Sequence, residues 1–264
     1  MTQLLMNPLT APPPPEVPLR NAPLVCVLAQ IRFPLITSIG DPAFIGPFQE
    51  AIRRRYPTLR EDRTQALMFG SQGAMPGATM TTWRFSDDAG WQVVLAANFL
   101  ALQTSHYTSR IDFIDRFSEI ITALETHIGP GSLDRLGIRY IDRVVNAGVD
   151  DMRQMIQQAV LGIADTPLAG HASHTITESL LNFDNRFLLA RWGHLPPQAT
   201  LDPTVMEPID SQSWVLDLDA YVDGPRAFDA DDICSETRLL AERAYAFFRW
   251  AVTDVFLRRY GGEP

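Results

Sequence analysis

Residues 135–145, RLGIRYIDRVV, alternate between apolar and polar side chains, which is typical of a β-strand. Alternate residues of a strand share one face of its sheet. The apolar face carries Leu136, Ile138, Tyr140 and Val144, interrupted by Asp142. The opposite face carries Arg135, Arg139 and Arg143. At a rise of about 3.3 Å per residue, neighbouring arginines are about 13 Å apart, which is too far for one phosphate and favours a row that contacts several groups.

A second predicted strand, residues 215–223, has the complementary pattern. Its apolar face carries Leu216, Leu218, Ala220 and Val222, and its polar face carries Asp217, Asp219 and Asp223. Three interpretations of the two charged faces are open: cross-strand ion pairs, a docking surface for a protein partner, or a site for a small anionic ligand. The docking interpretation makes Arg135, Arg139 and Arg143 partner-binding residues.

Residues 91–104, WQVVLAANFLALQT, predict one strand that is apolar on both faces. Alternation places Val94, Leu100 and Leu102 on the face opposite Trp91. A strand that is apolar on both sides is usually buried on both sides, so the second face needs a cover. The candidates are the proline-rich N-terminal arm, a second copy of the chain, or a different protein. The last two would make Val94, Leu100 and Leu102 partner-binding residues.

The order of predicted elements occurs twice along the chain. QIRF at 30–33 is followed 107 residues later by GIRY at 137–140, and each half predicts strand–helix–strand–strand–strand–helix. Short turns between the strands imply antiparallel pairing. The predicted fold is therefore α+β: an internally duplicated unit forming one antiparallel sheet, with the long helices 110–126 and 233–259 packed on one face. The predicted segments are a proline-rich arm at 1–22, a first repeat at 23–130 and a second repeat at 131–264, within a single compact pseudo-twofold domain.

A duplicated unit of this kind offers a second place for a ligand, the cleft between the repeats. The aromatic residues expected to line it are Trp83, Trp91, Tyr140 and Trp192. A small-molecule sensor is the functional alternative that this cleft implies.

Composition removes several functional classes. All 22 basic residues are arginine, so mechanisms that need a lysine, such as a Schiff base or a GxxxxGK[ST] phosphate loop, are excluded. The net charge of −9 lies in residues 147–264, which hold twice as many acids as arginines. Because nucleic-acid binding rests on neutralising phosphates, we expect no nucleic-acid partner. No apolar run approaches the ~20 residues of a membrane span, and the N-terminal region has no secretory pattern. We expect a cytoplasmic protein with no membrane partner.

No catalytic or metal constellation can be assembled from the sequence. His171 and His174 form an HxxH pair, but no cysteine or acid stands at zinc-ligand spacing. Cys26 and Cys234 are too few for a disulfide framework or a CxxC pair. We therefore predict no catalytic residues, no metal and no cofactor, and favour a protein that is not an enzyme.

RLGIRYIDRVV, together with PLVCVLAQIRFPL, IRRRYP and NFLALQTSHY, resembles a sporadically distributed family of uncharacterised bacterial proteins. Members of that family share an R-hydrophobic-G-hydrophobic-RY-[IV]-[ND] strand near the middle of the chain. The resemblance covers nearly the whole length and supplies no catalytic residues. Its patchy occurrence implies an accessory gene in a mobile defence or toxin-linked system. We expect a non-enzymatic interaction or adaptor protein that binds another protein or itself as a homodimer.

Overall fold

The computed structural model describes residues 6–70 and 73–264, and their side chains except those of 65–79. This part of the chain forms a single antiparallel sheet of nine strands with six α-helices, which confirms the α+β class and the single antiparallel sheet. The strands are β1 (Leu24–Arg32), β2 (Thr58–Gly70), β3 (Gly73–Ser86), β4 (Trp91–Ala96), β5 (Phe99–Thr104), β6 (Ser132–Val145), β7 (Thr175–Phe183), β8 (Arg186–Leu195) and β9 (Ser213–Ala227). Their order across the sheet is β2-β3-β4-β5-β1-β6-β9-β8-β7, so β2 and β7 are the edge strands.

Several of the helices begin at a polar side chain that accepts a hydrogen bond from a free backbone N–H. They are α1 (Pro42–Ile52), α2 (Arg110–His127), α3 (Val149–Met155), α4 (Gln158–Leu161), α5 (Ala230–Ala251) and α6 (Asp254–Arg259). The Asp41 side chain accepts from the backbone N–H of Ala43 at 2.9 Å and caps α1. The Ser109 hydroxyl accepts from the N–H of Asp112 at 3.1 Å and caps α2. Such N-caps each contribute about 1 kcal/mol to helix stability.

The predicted helix 233–259 is two helices. α5 ends at Ala251, and Val252 pairs with Ile156 in an isolated β-bridge. The hydroxyl of Thr253 then accepts from the N–H of Phe256 and caps α6. The apolar period runs through this break, which is why the sequence pattern predicts one continuous helix.

The predicted strand 91–104 is a hairpin, and this corrects the facing of its residues. β4 ends at Ala96, β5 begins at Phe99, and Ala96 pairs directly with Phe99 across a two-residue turn. Residues that pair directly lie on the same face of an antiparallel sheet. Leu100 pairs with Leu95, and Leu102 with Val93, so both leucines share the face of Trp91 rather than the opposite one. The Trp91 ring contacts Phe113 of α2, which places this face toward the helix.

The chain divides into two compact units that alternate along the sequence. One unit comprises residues 1–27, 138–222 and 238–264, and the other comprises 28–137 and 223–237. The predicted segments 1–22, 23–130 and 131–264 are instead continuous stretches. The first half of the chain also has one strand more than the predicted repeat, because β4 and β5 are separate. The internal duplication stays a prediction.

The N-terminal arm lies against α5, within the first unit. The Val17 N–H donates to the Tyr245 hydroxyl at 2.7 Å, and the Arg243 guanidinium donates to the Ala11 carbonyl at 2.6 Å. The arm therefore does not belong to the unit that contains β4 and β5, whose second face it was one candidate to cover.

Candidate functional site

Arg139, at the centre of the arginine row on β6, is held by two carboxylates. Its Nε and Nη2 donate to the two oxygens of Asp217 on β9, at 2.8 and 2.9 Å. Its Nη1 donates to Asp202 at 2.8 Å. The forked contact with Asp217 is the bidentate geometry that only a guanidinium provides.

Arg191 brings a second cation to Asp217. It lies on β8 directly opposite Asp217, and its Nη2 donates to the carboxylate at 2.6 Å. The Asp217 side chain is 1% exposed. Two guanidinium groups and two carboxylates thus form a charge-balanced cluster, which is the condition for keeping charges away from water without a large penalty. We call Arg139, Arg191, Asp202 and Asp217 the charge cluster.

Arg143 donates hydrogen bonds to the backbone of a loop rather than to a carboxylate. The loop, residues 196–212, joins β8 to β9 and contains Asp202. The Arg143 guanidinium donates to the carbonyl of Glu207 at 2.6 Å, to the carbonyl of Ala199 at 3.1 Å and to the Ser213 hydroxyl at 3.2 Å. The loop is therefore attached to the sheet by Arg143 through its backbone and by Arg139 through Asp202.

Burial and the charge cluster together shift the pKa values of Asp202 and Cys26. Burial alone would raise the pKa of Asp202, but hydrogen bonds from Thr204 and Arg139 outweigh it and lower that pKa from 3.8 to about 2. Burial raises the pKa of the Cys26 thiol to about 11; Arg139 acts against this shift, and Asp217 and Asp202 act with it. Because the thiolate is the reactive form, the raised pKa lowers the reactivity of Cys26 at neutral pH.

The arginine row is thus largely occupied within the chain. Arg139 binds Asp217 and Asp202, and Arg143 binds the loop. The side chain of Arg135, 20% exposed, lies 3.5 Å from Asp223. This arrangement matches the interpretation of cross-strand ion pairs, extended by a covering loop. A partner approaching Arg139 or Arg143 would first contact residues 196–212.

The three apolar residues expected at an interface are interior residues of one chain. Leu100 and Leu102 are buried on the α2 face, as their pairing with Leu95 and Val93 requires. Val94 lies on the other face, between Arg84 and Ala101, and is 5% exposed. Their burial does not fit the expectation of an open docking face on β4 and β5.

The four aromatic residues expected to line a ligand cleft mostly have partners close by. The Trp83 indole N–H donates to the Ile39 carbonyl at 2.7 Å, and that of Trp192 donates to the Val160 carbonyl at 2.7 Å. The Arg116 guanidinium stacks 4.2 Å from the Trp91 ring. Trp83 and Trp91 lie in one compact unit, and Tyr140 and Trp192 lie in the other. Tyr140 is half-buried on β6.

An open apolar patch that the sequence analysis missed lies on the edge of the sheet formed by β7, β8 and β9. Leu180 of β7 is 55% exposed and pairs directly with Leu189 of β8. Beside them, the rings of Phe187 and Tyr221 stack with centroids 5.3 Å apart. Leu189 pairs with Asp219, which shares the face of Asp217, so the patch continues the face of the charge cluster. We call Leu180, Phe187, Leu189 and Tyr221 the edge patch. The signal was available in TITESLLNF and RFLLARW, where apolar side chains occupy both strand faces.

Asp142 is the acid with the largest shift away from its ordinary behaviour. It is 4% exposed, and burial raises its pKa from 3.8 to about 7. Burial causes that shift, and the charge of Asp142 in turn acts to raise the pKa of the Tyr260 phenol.

The described residues contain no group of three or more His, Cys, Asp or Glu side chains arranged to hold a metal ion. Among the same residues, no helix combines the length and apolar character needed to cross a bilayer.

Comparisons with known proteins do not assign the chain to a family. No protein-family model matches the sequence, and no curated protein matches it. The resemblance carried by RLGIRYIDRVV therefore stays a prediction.

Proposed function

We propose that the chain is a non-enzymatic interaction protein that binds an extended segment of a partner protein along edge strand β7. The observation that carries this proposal is the edge patch, a set of apolar and aromatic side chains beside the unpaired edge of the sheet. In the described part of the chain, no other strand pairs with the outer side of β7. An open edge of nine residues without proline or a cation is a template for a further strand.

The chemistry of the patch supports a partner segment of stated composition. Backbone N–H and C=O groups of β7 would supply hydrogen bonds, and Leu180 would contact an aliphatic side chain of the added strand, with Leu189 behind it on β8. The exposed Glu178 precedes Leu180 by two residues, and therefore lies on the same face. With a net charge of −9 on the chain and Glu178 on the face of Leu180, a segment that carries an aliphatic residue and, two positions away on the same face, an arginine or lysine is favoured.

The other parts of the functional hypothesis join this proposal. The resemblance to a sporadically distributed bacterial family suggests that the partner belongs to a mobile defence or toxin-linked system in the cytoplasm. If the chain is an internally duplicated unit with its long helices on one face, β7 would be the outer edge strand of the second repeat. The alternative of a small-molecule sensor loses support, because the indole N–H groups of Trp83 and Trp192 already donate hydrogen bonds within the chain.

The test uses peptides of defined pattern on matched variants. A displayed library of ten-residue peptides, with aliphatic residues at every fourth position and random residues between them, is selected on the wild-type chain. Affinities of the selected peptides are then measured for the wild type, for Leu180→Arg and for Leu168→Arg. Leu168 is a suitable control because it is 57% exposed, close to the 55% of Leu180, but lies outside the sheet.

Peptides rich in arginine or lysine should bind the wild type and Leu168→Arg equally. They should bind Leu180→Arg at least about tenfold more weakly, since contact with one leucine contributes about 1.5–3 kcal/mol. Hydrogen exchange should show protection of the β7 amides in the complex. Equal binding to both variants, protection elsewhere, or no enrichment of any peptide would each refute the proposal.

A further inference from the structure

The N-terminal arm contacts α5 with the period of a polyproline helix. Residues 11–18, APPPPEVP, hold five prolines, whose fixed φ favours this extended conformation. Ala11, Pro14 and Val17 are half-buried, and the residues between them are exposed. A polyproline helix has three residues per turn, so one of its three faces rests on the protein.

Side chains of α5 form hydrogen bonds with the backbone of the arm. Arg243 donates to the Ala11 carbonyl at 2.6 Å. The Tyr245 hydroxyl donates to the Pro15 carbonyl at 3.2 Å and accepts from the Val17 N–H at 2.7 Å. The two carbonyls are present in any extended peptide, and the N–H is present wherever a residue other than proline stands at the position of Val17. Hydrogen bonds from aromatic and arginine side chains to the carbonyls of such a peptide are a general mode of proline-rich recognition.

Arg249 shows that the arm does not use everything the helix offers. Its side chain is buried, and its Nη1 lies 3.5 Å from the Pro15 carbonyl, at the limit of a hydrogen bond. Its Nε is buried without a hydrogen-bond partner. Buried polar groups in proteins are nearly always bonded, so an unpaired buried donor beside the arm shows that the arm does not satisfy every donor of α5.

We propose that Arg243, Tyr245 and Arg249 form a binding site for proline-rich segments of another protein, and that residues 11–18 are its built-in competitor. The proposal is independent of the edge patch, which lies on the sheet. A tethered ligand acts at an effective concentration of about 1 mM, so the intact arm blocks weak peptides and admits strong ones. A partner segment with a carbonyl placed for the Arg249 Nε would have that advantage.

The test supplies the chain's own arm as a separate peptide. The probe is a fluorescently labelled synthetic peptide of residues 7–20, NPLTAPPPPEVPLR, and its binding is followed by anisotropy. The receptors are the full wild-type chain and a full-length variant in which Pro12, Pro13, Pro14 and Pro15 are replaced by serine. The variant should bind the probe at least about tenfold more tightly, because its own arm competes less well.

Conservative variants then identify the site. In the serine background, Tyr245→Phe should weaken probe binding about tenfold or more, and Tyr221→Phe, a tyrosine on the sheet, should leave it unchanged. Leu180→Arg should also leave it unchanged, which separates this proposal from the edge patch. Circular dichroism confirms that each variant is folded.

Three results would overturn the inference. The first is equal binding of the probe to the wild type and to the serine variant, and the second is binding that does not depend on Tyr245. The third is a wild-type dimer, by light scattering, that becomes a monomer in the serine variant. That result would mean that the site serves arm exchange between two copies of this chain.

Discussion

Replacing Asp217 by asparagine tests whether the charge cluster holds the second half of the sheet together. The substitution keeps the shape of the side chain and removes its charge. Arg139 retains Asp202 at 2.8 Å, whereas the two contacts of Arg191 within the cluster are both to Asp217. Removing one partner of a buried ion pair costs about 3–5 kcal/mol, because it leaves an uncompensated charge away from water. We expect a loss near the lower end of that range, about 3 kcal/mol, since Arg139 keeps one carboxylate.

The matched control is Asp223→Asn, on the same strand. The Asp223 side chain is 52% exposed and lies 3.5 Å from Arg135, so its ion pair contributes less than about 1 kcal/mol. Both variants are compared with the wild type by urea unfolding at pH 7, with the slope of the transition checked for constancy. If Asp217→Asn loses no more free energy of unfolding than Asp223→Asn, the cluster does not stabilise the fold and the reasoning fails.

A double-mutant cycle isolates the contact with Arg191. Arg191→Met and Asp217→Asn are measured singly and together. The free energy of unfolding lost in Asp217→Asn includes the cost of leaving Arg191 without a carboxylate. The double variant should therefore be more stable than the sum of the two single losses predicts, by about 1–3 kcal/mol. Additive losses would show that the 2.6 Å contact between Arg191 and Asp217 carries no coupling.

Three further predictions concern other buried groups. Asp142, with its folded pKa raised from 3.8 to about 7, is neutral at low pH; its contribution to wild-type stability should therefore fall by about 3 kcal/mol between pH 4 and pH 7. In urea unfolding across this pH range, the free energy of unfolding of Asp142→Asn should not show that decrease. An equal decrease in the variant would show that Asp142 is not its cause. Arg143→Leu should speed thermolysin cleavage within residues 196–212 about tenfold, whereas Arg32→Leu, which is exposed, should not; unchanged cleavage would mean that other contacts hold the loop. Because burial raises the pKa of Cys26 to about 11, a thiol reagent at pH 8 should modify it in urea and not in the folded chain, as mass spectrometry would show; rapid labelling of the folded chain would contradict its burial.

The β4–β5 and β7–β8 hairpins show which turns can be predicted from a sequence. The turn between β7 and β8 has positive φ at both Asp184 and Asn185, 44° and 63°, and residues that tolerate this conformation are recognisable in FDNR. The turn between β4 and β5 has no positive φ at Ala97 or Asn98. It needs neither glycine nor an Asn-Gly pair, so AANF gives no turn signal. Because strand alternation has a period of two, missing that turn moved Leu100 and Leu102 to the wrong face.

The charged face of β6 and β9 was also predictable only where side chains form a pattern. Alternation alone identified Arg139 and Asp217 as members of opposite charge rows, and the structure joins them directly. The covering loop could not be foreseen, because Arg143 binds it through the carbonyls of Ala199 and Glu207. Carbonyls are present at every residue and leave no pattern in a sequence.

Contacts of this kind bear on how the chain can evolve. Both segments without regular structure that were followed above, the loop and the arm, are attached by guanidinium groups that bind main-chain oxygen. Mutations that change side chains other than Asp202 in the loop, or other than the prolines in the arm, leave these carbonyl contacts intact, so those positions are free to diverge at little cost to the fold. The arginines are not interchangeable with lysine, since a single ammonium cannot reach the three separated acceptors that Arg143 serves. New specificities could therefore accumulate in the loop and the arm while Arg143 and Arg243 stay fixed.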